Sequence, residues 1–463
     1  MAETDSSAAD IAGVRRRATI GVIGAGYVGL VAAACFAELG HDVTCVDVDA
    51  PRVAMLRRGV LPLHEPGLVD LVRRHLGRSL RFTTDAVAAV AGASFIFLCV
   101  PTPDRGDGSP DTCFLDRALA GLLPACAPGT TIVMKSTVPP GTGDLVAAAA
   151  RHAGARGIRV VANPEFLSQG TAVRDFLRPD RIVIGADDAC AAAAVGRLYA
   201  PLEARVIYCS RRAAEMAKYA ANALLATRIS LMNEIAQVCD AMGVDVAEVA
   251  QIAGADRRIG SGHLRPGIGW GGSCLPKDLR ALTATARTHA CDHALLDAVA
   301  AQNEAQRRRV VQTLLGAASS PGGGRVCVLG LTFKPGTDDV RESPAIAIAR
   351  ELLRAGVDVV AHDPMDPAAD GRCDELGRVR DPYEAAHGAD AVLVATDWAL
   401  YAALDWRRMR AVMRGRTVVD GRNCLEPLRM RALGFTYVSF GRAATAWGPG
   451  SGLADVAAAE AAL

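Results

Sequence analysis

The chain has almost no lysine. Of 51 basic residues among 463, all but Lys135, Lys218, Lys277 and Lys334 are arginine. An ammonium is compact and changes its pKa readily when buried, whereas a guanidinium is a planar fork that stays charged. Positions that keep Lys against this background are candidates for chemistry that Arg cannot do, the bland alternative being a buried structural lysine. The chain also lacks a field of one sign. Its net charge is +1 and 22% of its residues are charged, which argues against nucleic acid or a membrane surface as a partner. It lacks a long apolar run: Val87–Val100, the longest, is broken by Gly92 and Ser94 and is too short to span a bilayer. The first residues are acidic and polar with no apolar stretch, so no secretion leader is expected. No two of the thirteen cysteines stand at CxxC spacing. That argues against a zinc site and a disulfide framework and suits a reducing cytoplasm; no metal is expected.

What the chain does have is length and alternation. With 51% hydrophobic content over 463 residues it can bury two or three cores. Residues 1–17 are rich in Ala, Ser, Asp and Arg and are expected to be disordered. Apolar β-type runs at 19–23, 43–46, 95–100, 131–134, 159–162 and 181–184 then alternate with amphipathic segments of helical length. A long helix free of Gly and Pro is predicted over 211–242, and a second helix-rich stretch over 276–315. Pro-Gly-Gly-Gly at 321–324 reads as a linker. Strand candidates resume at 326–329, 357–361, 391–395, 417–420 and 436–439. The expected class is α/β: two Rossmann-like, doubly wound parallel-sheet domains, 18–208 and 325–442, joined by a long central helix in a helical region, 209–318, with a flexible tail at 443–463.

The first predicted strand runs into Gly24-Ala25-Gly26-Tyr27-Val28-Gly29, and a helix follows. Glycines there permit a tight turn and close approach of a pyrophosphate to the helix N-terminus. Asp47 ends the next predicted strand, in position to accept from ribose hydroxyls. A carboxylate there repels a 2′-phosphate, so the expected cofactor is NAD rather than NADP. Arg52 opens the next helix and is a candidate for a phosphate or the adenine.

Further motifs follow in order: Val100-Pro101-Thr102-Pro103, Lys135-Ser136-Thr137-Val138-Pro139-Pro140-Gly141-Thr142, Asn163-Pro164-Glu165-Phe166-Leu167, Gly269-Trp270-Gly271-Gly272-Ser273-Cys274-Leu275-Pro276-Lys277-Asp278, Gly330-Leu331-Thr332-Phe333-Lys334-Pro335-Gly336-Thr337-Asp338-Asp339 and Asp420-Gly421-Arg422-Asn423. Over residues 18–442 this series resembles the UDP-glucose/GDP-mannose dehydrogenase family. The resemblance implies NAD-dependent, four-electron oxidation of the C6 alcohol of a nucleotide sugar, UDP-glucose first among them, to the carboxylate of UDP-glucuronate.

Cys274 follows Gly-Gly-Ser and precedes Pro276, a residue favoured where helices begin. A helix N-terminus and Lys277 both favour thiolate, which makes Cys274 the candidate nucleophile; most of the other twelve cysteines are expected in strands or Ala-rich helices, where a cysteine is usually inert core. The resemblance implies a thiohemiacetal and then a thioester on this thiol. Lys218 and Asn222, four residues apart, share one helix face, and the neighbouring Met216, Tyr219 and Leu224 are apolar; the alternative is a solvated lysine. The resemblance sets Lys218 and Asn222 around the reacting carbon, gives Glu165 base work in thioester hydrolysis, and lets Asp278 hold the hydrolytic water with Thr137. It implies cofactor contacts from Thr102, Thr137, Gln169, Lys277 and Arg341, besides Gly24, Gly26, Tyr27, Val28, Gly29, Asp47 and Arg52. It implies substrate contacts from Glu165, Phe166, Leu167, Lys218, Asn222, Phe333, Lys334 and Arg422, and from the loop Arg265, Gly269, Trp270 and Gly271. It gives Arg258 a reach across the interface of a homodimer or higher homo-oligomer built on the helical region. Where relatives carry an acidic residue after NPEFL this chain has Ser168-Gln169-Gly170, and Trp270 and Leu275 stand where Tyr or Phe is usual. Lys135 is read as structural. The competing readings are another nucleotide sugar such as GDP-mannose, a two-electron hydroxyacid dehydrogenase, and a non-catalytic NAD or nucleotide-sugar binder. The run Pro179–Gly185 and the FKPGTDD motif favour the UDP-glucose branch.

Overall fold

The computed structural model describes residues 17–318, 324–365 and 371–442. The segments read as loose termini, apart from Arg17, and the 321–323 part of the linker lie outside the described residues. The chain divides into two compact units, one up to Ala220 and one from Ala221.

The first unit is built on eight strands: β1 (Thr19–Ile23), β2 (Asp42–Val46), β3 (Leu80–Thr83), β4 (Phe95–Leu98), β5 (Thr131–Met134), β6 (Arg159–Ala162), β7 (Ile182–Gly185) and β8 (Val206–Cys209). Their order is β3-β2-β1-β4-β5-β6-β7-β8. All pairs are parallel except β6 with β7, which meet antiparallel at Ala162 and Gly185. The central strands are buried on both faces, as their unbroken apolar runs require. Helix Tyr27–Glu38 shows no polar stripe because it is buried all round from Gly29 to Ala37. One side lies on the sheet, and the helices Leu68–His75 and Ala172–Leu177 cover the other.

The second unit carries six parallel strands, β9 (Arg325–Leu329), β10 (Asp358–His362), β11 (Gly377–Arg378), β12 (Ala391–Val394), β13 (Thr417–Asp420) and β14 (Thr436–Val438), in the order β11-β10-β9-β12-β13-β14. Its helices include Val246–Ala255, Leu275–Thr288 and Ala294–Ala317, so the stretch expected from 276 to 315 is two helices with a break between them. The long helix spans Arg211–Met242, and the division between units falls inside it. It stops at Gly243, whose φ of 73° lets the chain turn out of the helix. The class is the expected one, two parallel-sheet α/β domains with a long central helix. The strands missing from the sequence reading are β3, β8 and β11. All three lie at sheet edges, the first two with four residues and the last with two. Among the described residues no helix is long and apolar enough to cross a membrane.

Candidate active site

In the first unit, β1 delivers the chain into the glycine turn. Gly24 has a φ of 100°, and a Cβ on Gly29 would stand 1.8 Å from the Gly24 carbonyl oxygen, so the turn closes only with glycine. Gly26 precedes helix Tyr27–Glu38 and caps it with no side chain, and a Cβ placed on it meets nothing within 4 Å. Open space thus lies over N–H groups that have no intrahelical acceptor, the cradle a dinucleotide pyrophosphate needs. Tyr27 and Val28 are partly buried here. Asp47 comes one residue after β2 rather than ending it. It is nearly buried; Oδ2 accepts from the Ala25 N–H (2.8 Å) and Oδ1 from the Asp49 N–H (3.0 Å). Arg52, a candidate for a phosphate or the adenine, pairs with Asp47 at 3.3 Å and Asp49 at 3.8 Å. Two carboxylates against one guanidinium leave this end net negative, which fits NAD and opposes a 2′-phosphate. Thr102 Oγ1 donates to the Thr137 carbonyl (2.8 Å), joining two of the expected cofactor residues, and Gln169 is partly buried.

Lys218 is not solvated. It is 3% exposed, and its ammonium lies 3.1 Å from Glu165 Oε1, itself buried. Glu165 Oε2 accepts from the Leu167 N–H at 2.6 Å. The Phe166 ring lies 5.5 Å from Lys218 Nζ and is stacked by the Arg181 guanidinium at 4.0 Å. The expected apolar surround needs correction: Met216 and Leu224 are exposed, and of the three only Tyr219 is buried. A side chain two or six residues along the helix from Lys218 need not share its buried side. Thr137, Lys218 and Glu215 line a small pocket with Ser136, Val138 and Pro164. Glu215 was not singled out from the sequence, although it precedes Lys218 by one helical turn. It is buried, accepts from the Gly141 and Gly143 N–H groups (2.6 and 2.7 Å), and desolvation raises its pKa. Lys135 sits beneath, donating to Asn163 Oδ1 (3.0 Å) and the Tyr199 hydroxyl (3.2 Å), and burial pulls its pKa down to about 8.

In the second unit, Cys274 is the residue at which helix Leu275–Thr288 begins. It is partly buried, with Ser273 Oγ 3.7 Å from its Sγ. One turn in, Asp278 is 1% exposed. Oδ2 accepts from Asn222 Nδ2 (2.6 Å), and Oδ1 lies 2.5 Å from the Lys277 ammonium. Three candidates that the sequence left separate thus form one cluster. Burial pushes the Cys99 thiol up to about 12 and also raises those of Cys35, Cys45 and Cys327, while Cys190 and Cys291 are exposed. Among the described residues no two cysteines are bonded to each other.

The glycine loop before Cys274 lies against the turn after β9. A Cβ on Gly271 would stand 2.1 Å from the Glu342 carbonyl oxygen, and one on Gly272 2.7 Å from the Phe333 ring. Arg422 ties the same parts together. Nε donates to the Ala395 carbonyl (2.8 Å), while Nη1 and Nη2 reach the carbonyls of Gly269 (3.4 Å) and Phe333 (3.5 Å). Lys334 Nζ stands 5.7 Å from the Phe333 ring. Trp270 differs from expectation. Its indole is buried against Ala223, Ala226, Leu279 and Val299 and donates to Ser230 Oγ (2.9 Å), so the ring belongs to the core. Arg265 is exposed; Arg258 is also exposed and holds Asp256, and Arg341 holds Asp339.

Models of the UDP-glucose/GDP-mannose dehydrogenase family match the chain in the NAD binding domain at residues 18–203, the central domain at 212–305 and the UDP binding domain at 327–427. The UDP-glucose 6-dehydrogenase of Pseudomonas aeruginosa is 44% identical over 442 residues, covering 91% of this chain and 97% of that protein. The UDP-glucose 6-dehydrogenase of Rhizobium meliloti is 43% identical, over 91% of this chain and 99% of that one. Among solved structures, a UDP-glucose dehydrogenase from the hyperthermophilic archaeon Pyrobaculum islandicum superposes with a TM-score of 0.86 at 38% identity, covering 93% of this chain and 99% of the other.

Proposed function

The chain belongs to the UDP-glucose/GDP-mannose dehydrogenase family and is an NAD-dependent dehydrogenase, and from that premise we propose that its reaction is the oxidation of UDP-glucose at C6 to UDP-glucuronate. The observation that carries this reading is the arrangement around residue 274. A thiol heads a helix, and a buried carboxylate one turn in is held by Asn222 and Lys277. A two-electron alcohol oxidation needs neither; capture of the aldehyde uses the thiol, and hydrolysis of the thioester that follows uses the carboxylate.

NAD, when bound, accepts a hydride from C6, twice per sugar. The chain's own groups do the rest. The Glu165–Lys218 pair takes the C6 hydroxyl proton and stabilises the oxyanion that forms. The Cys274 thiolate adds to the aldehyde carbon and gives a thiohemiacetal, and the second oxidation leaves a thioester. Asp278, oriented by Asn222, directs a water onto the thioester carbonyl. The C–S bond breaks, the acid departs and the thiol is restored. Arg422 keeps the Gly269 and Phe333 segments in place for the nucleotide. We also propose a homodimer. Leu224, Leu231 and Val238 are exposed at seven-residue spacing on the long helix, an apolar row that a second copy would cover. Thirteen cysteines without a disulfide suit a reducing compartment, the cytoplasm. The test is the NADH yield per mole over a panel of UDP- and GDP-sugars. Two equivalents with UDP-glucose are expected; one equivalent, or turnover of a GDP-sugar in preference, overturns the assignment.

A further inference from the structure

Glu65 belongs to no motif recognised in the sequence. It lies in His64-Glu65-Pro66-Gly67, between the helices Ala50–Leu56 and Leu68–His75, and is 3% exposed. A buried carboxylate is tolerated only when donors fill its lone pairs. Here Oε1 accepts from the N–H groups of Ala172 (2.7 Å) and Val173 (3.5 Å), at the start of helix Ala172–Leu177. Those bonds are a cap and explain burial at that end. Oε2 does something the cap does not need. It accepts from the Tyr27 hydroxyl and from the Gly170 N–H (2.7 Å), and that N–H also stands 3.1 Å from the Tyr27 oxygen.

Both partners of Oε2 belong to working segments. Tyr27 is in the glycine turn and opens helix Tyr27–Glu38. Gly170 ends the loop that starts at Glu165, the partner of Lys218, and includes Gln169. The two segments are 143 residues apart in sequence; this carboxylate accepts from both, beside the direct approach of the Gly170 N–H to the Tyr27 hydroxyl. We propose that Glu65 is a positioning residue for the cofactor. It holds the dinucleotide turn and the Glu165–Gly170 loop at one spacing without touching the dinucleotide itself. Affinity for NAD then depends on a group that serves only to hold other groups still.

The test is Glu65→Gln, alone and with Tyr27→Phe, read by calorimetric titration with NAD and with ADP-ribose and by steady-state kinetics. The amide turns one oxygen into an NH2 facing protein donors, so at least one buried donor loses its acceptor. The expected loss in NAD affinity is about tenfold, the factor for one such donor. KM for NAD should rise more than kcat falls, and KM for the sugar nucleotide should stay put. Tyr27→Phe should weaken NAD several-fold, and the double variant should lose less than the product of the two single losses. Wild-type NAD affinity in Glu65→Gln, or independent losses in the double variant, overturns the proposal. Should Glu65→Gln fail to fold, Tyr27→Phe decides alone, because it leaves the cap of helix Ala172–Leu177 intact; unchanged NAD affinity there is the overturning result.

Discussion

Replacing Lys135 by Met should make the stability difference between wild type and variant depend on pH in one direction only. The ammonium is buried against Asn163, Tyr199 and Phe176, and desolvation brings its pKa from the ordinary 10.5 to about 8. A lysine whose folded pKa is depressed binds its proton more weakly in the fold than in the unfolded chain. Between pH 8 and 10.5 the unfolded state therefore holds the extra proton, and the stability of the fold rises with pH at about 1.4 kcal/mol per pH unit. Over that window the gain is about 3 kcal/mol, all of it absent below pH 8, where folding bears the full cost of burying the charge. Met keeps the length, drops the charge and titrates nowhere. Neighbours do not confuse the signal: Cys99 is pushed up to about 12, and Tyr199 is raised well above its ordinary 10.0. The assay is denaturant unfolding of both proteins, followed by far-UV circular dichroism at intervals from pH 7 to 10.5. Wild type minus variant should climb by about 3 kcal/mol, with the variant as stable as wild type or more so near pH 7. A flat or falling difference would refute the reasoning, and with it the picture of a charged amine buried just past the end of β5.

Cys274→Ser should form no free uronic acid and should not release the second equivalent of NADH; steady production of acid would remove the thioester scheme. Lys218→Met should lower kcat by about 10²–10⁴-fold while NAD titrates with unchanged affinity, since the Lys218 ammonium pairs with Glu165. Equal losses in kcat and NAD binding would contradict this. Leu231→Asp, at an exposed position in the middle of the apolar row, should convert a dimer into monomers by light scattering with the circular dichroism unchanged; a persisting dimer would place the interface elsewhere.

Much of the architecture was legible because buried parallel strands are short apolar runs between helices, and the centres of both sheets answer that description. The edges do not. β3 alternates buried and exposed positions, and no residue of β8 is buried, so neither shows the continuous run that marks a strand closed on both faces. Helix Tyr27–Glu38 was placed by its glycine turn rather than by periodicity, since a helix covered on all sides has no polar face to reveal a period.

The site was legible as a set of residues but not as a set of pairs. A motif names Lys218 or Asp278, and spacing along a helix shows which neighbours share a face. No local pattern announces that Asp278 accepts from Asn222, 56 positions earlier, or that Glu65 accepts from Gly170, 105 positions later. Such bonds form because a buried carboxylate must find donors, and the donors at hand are often backbone N–H groups that every residue but proline supplies. The same logic explains the correction at Trp270 and the crowded guanidinium at Arg422. A large aromatic beside glycines can serve a ligand or the core, and the glycines alone do not decide it. Here the indole donates inward to Ser230, while Gly271 and Gly272 let the loop lie on the Glu342 carbonyl and the Phe333 ring. Arg422 then spends donors on the carbonyls of Ala395, Gly269 and Phe333, so that replacing it should loosen the loop before Cys274 as well as weaken the grip on a nucleotide.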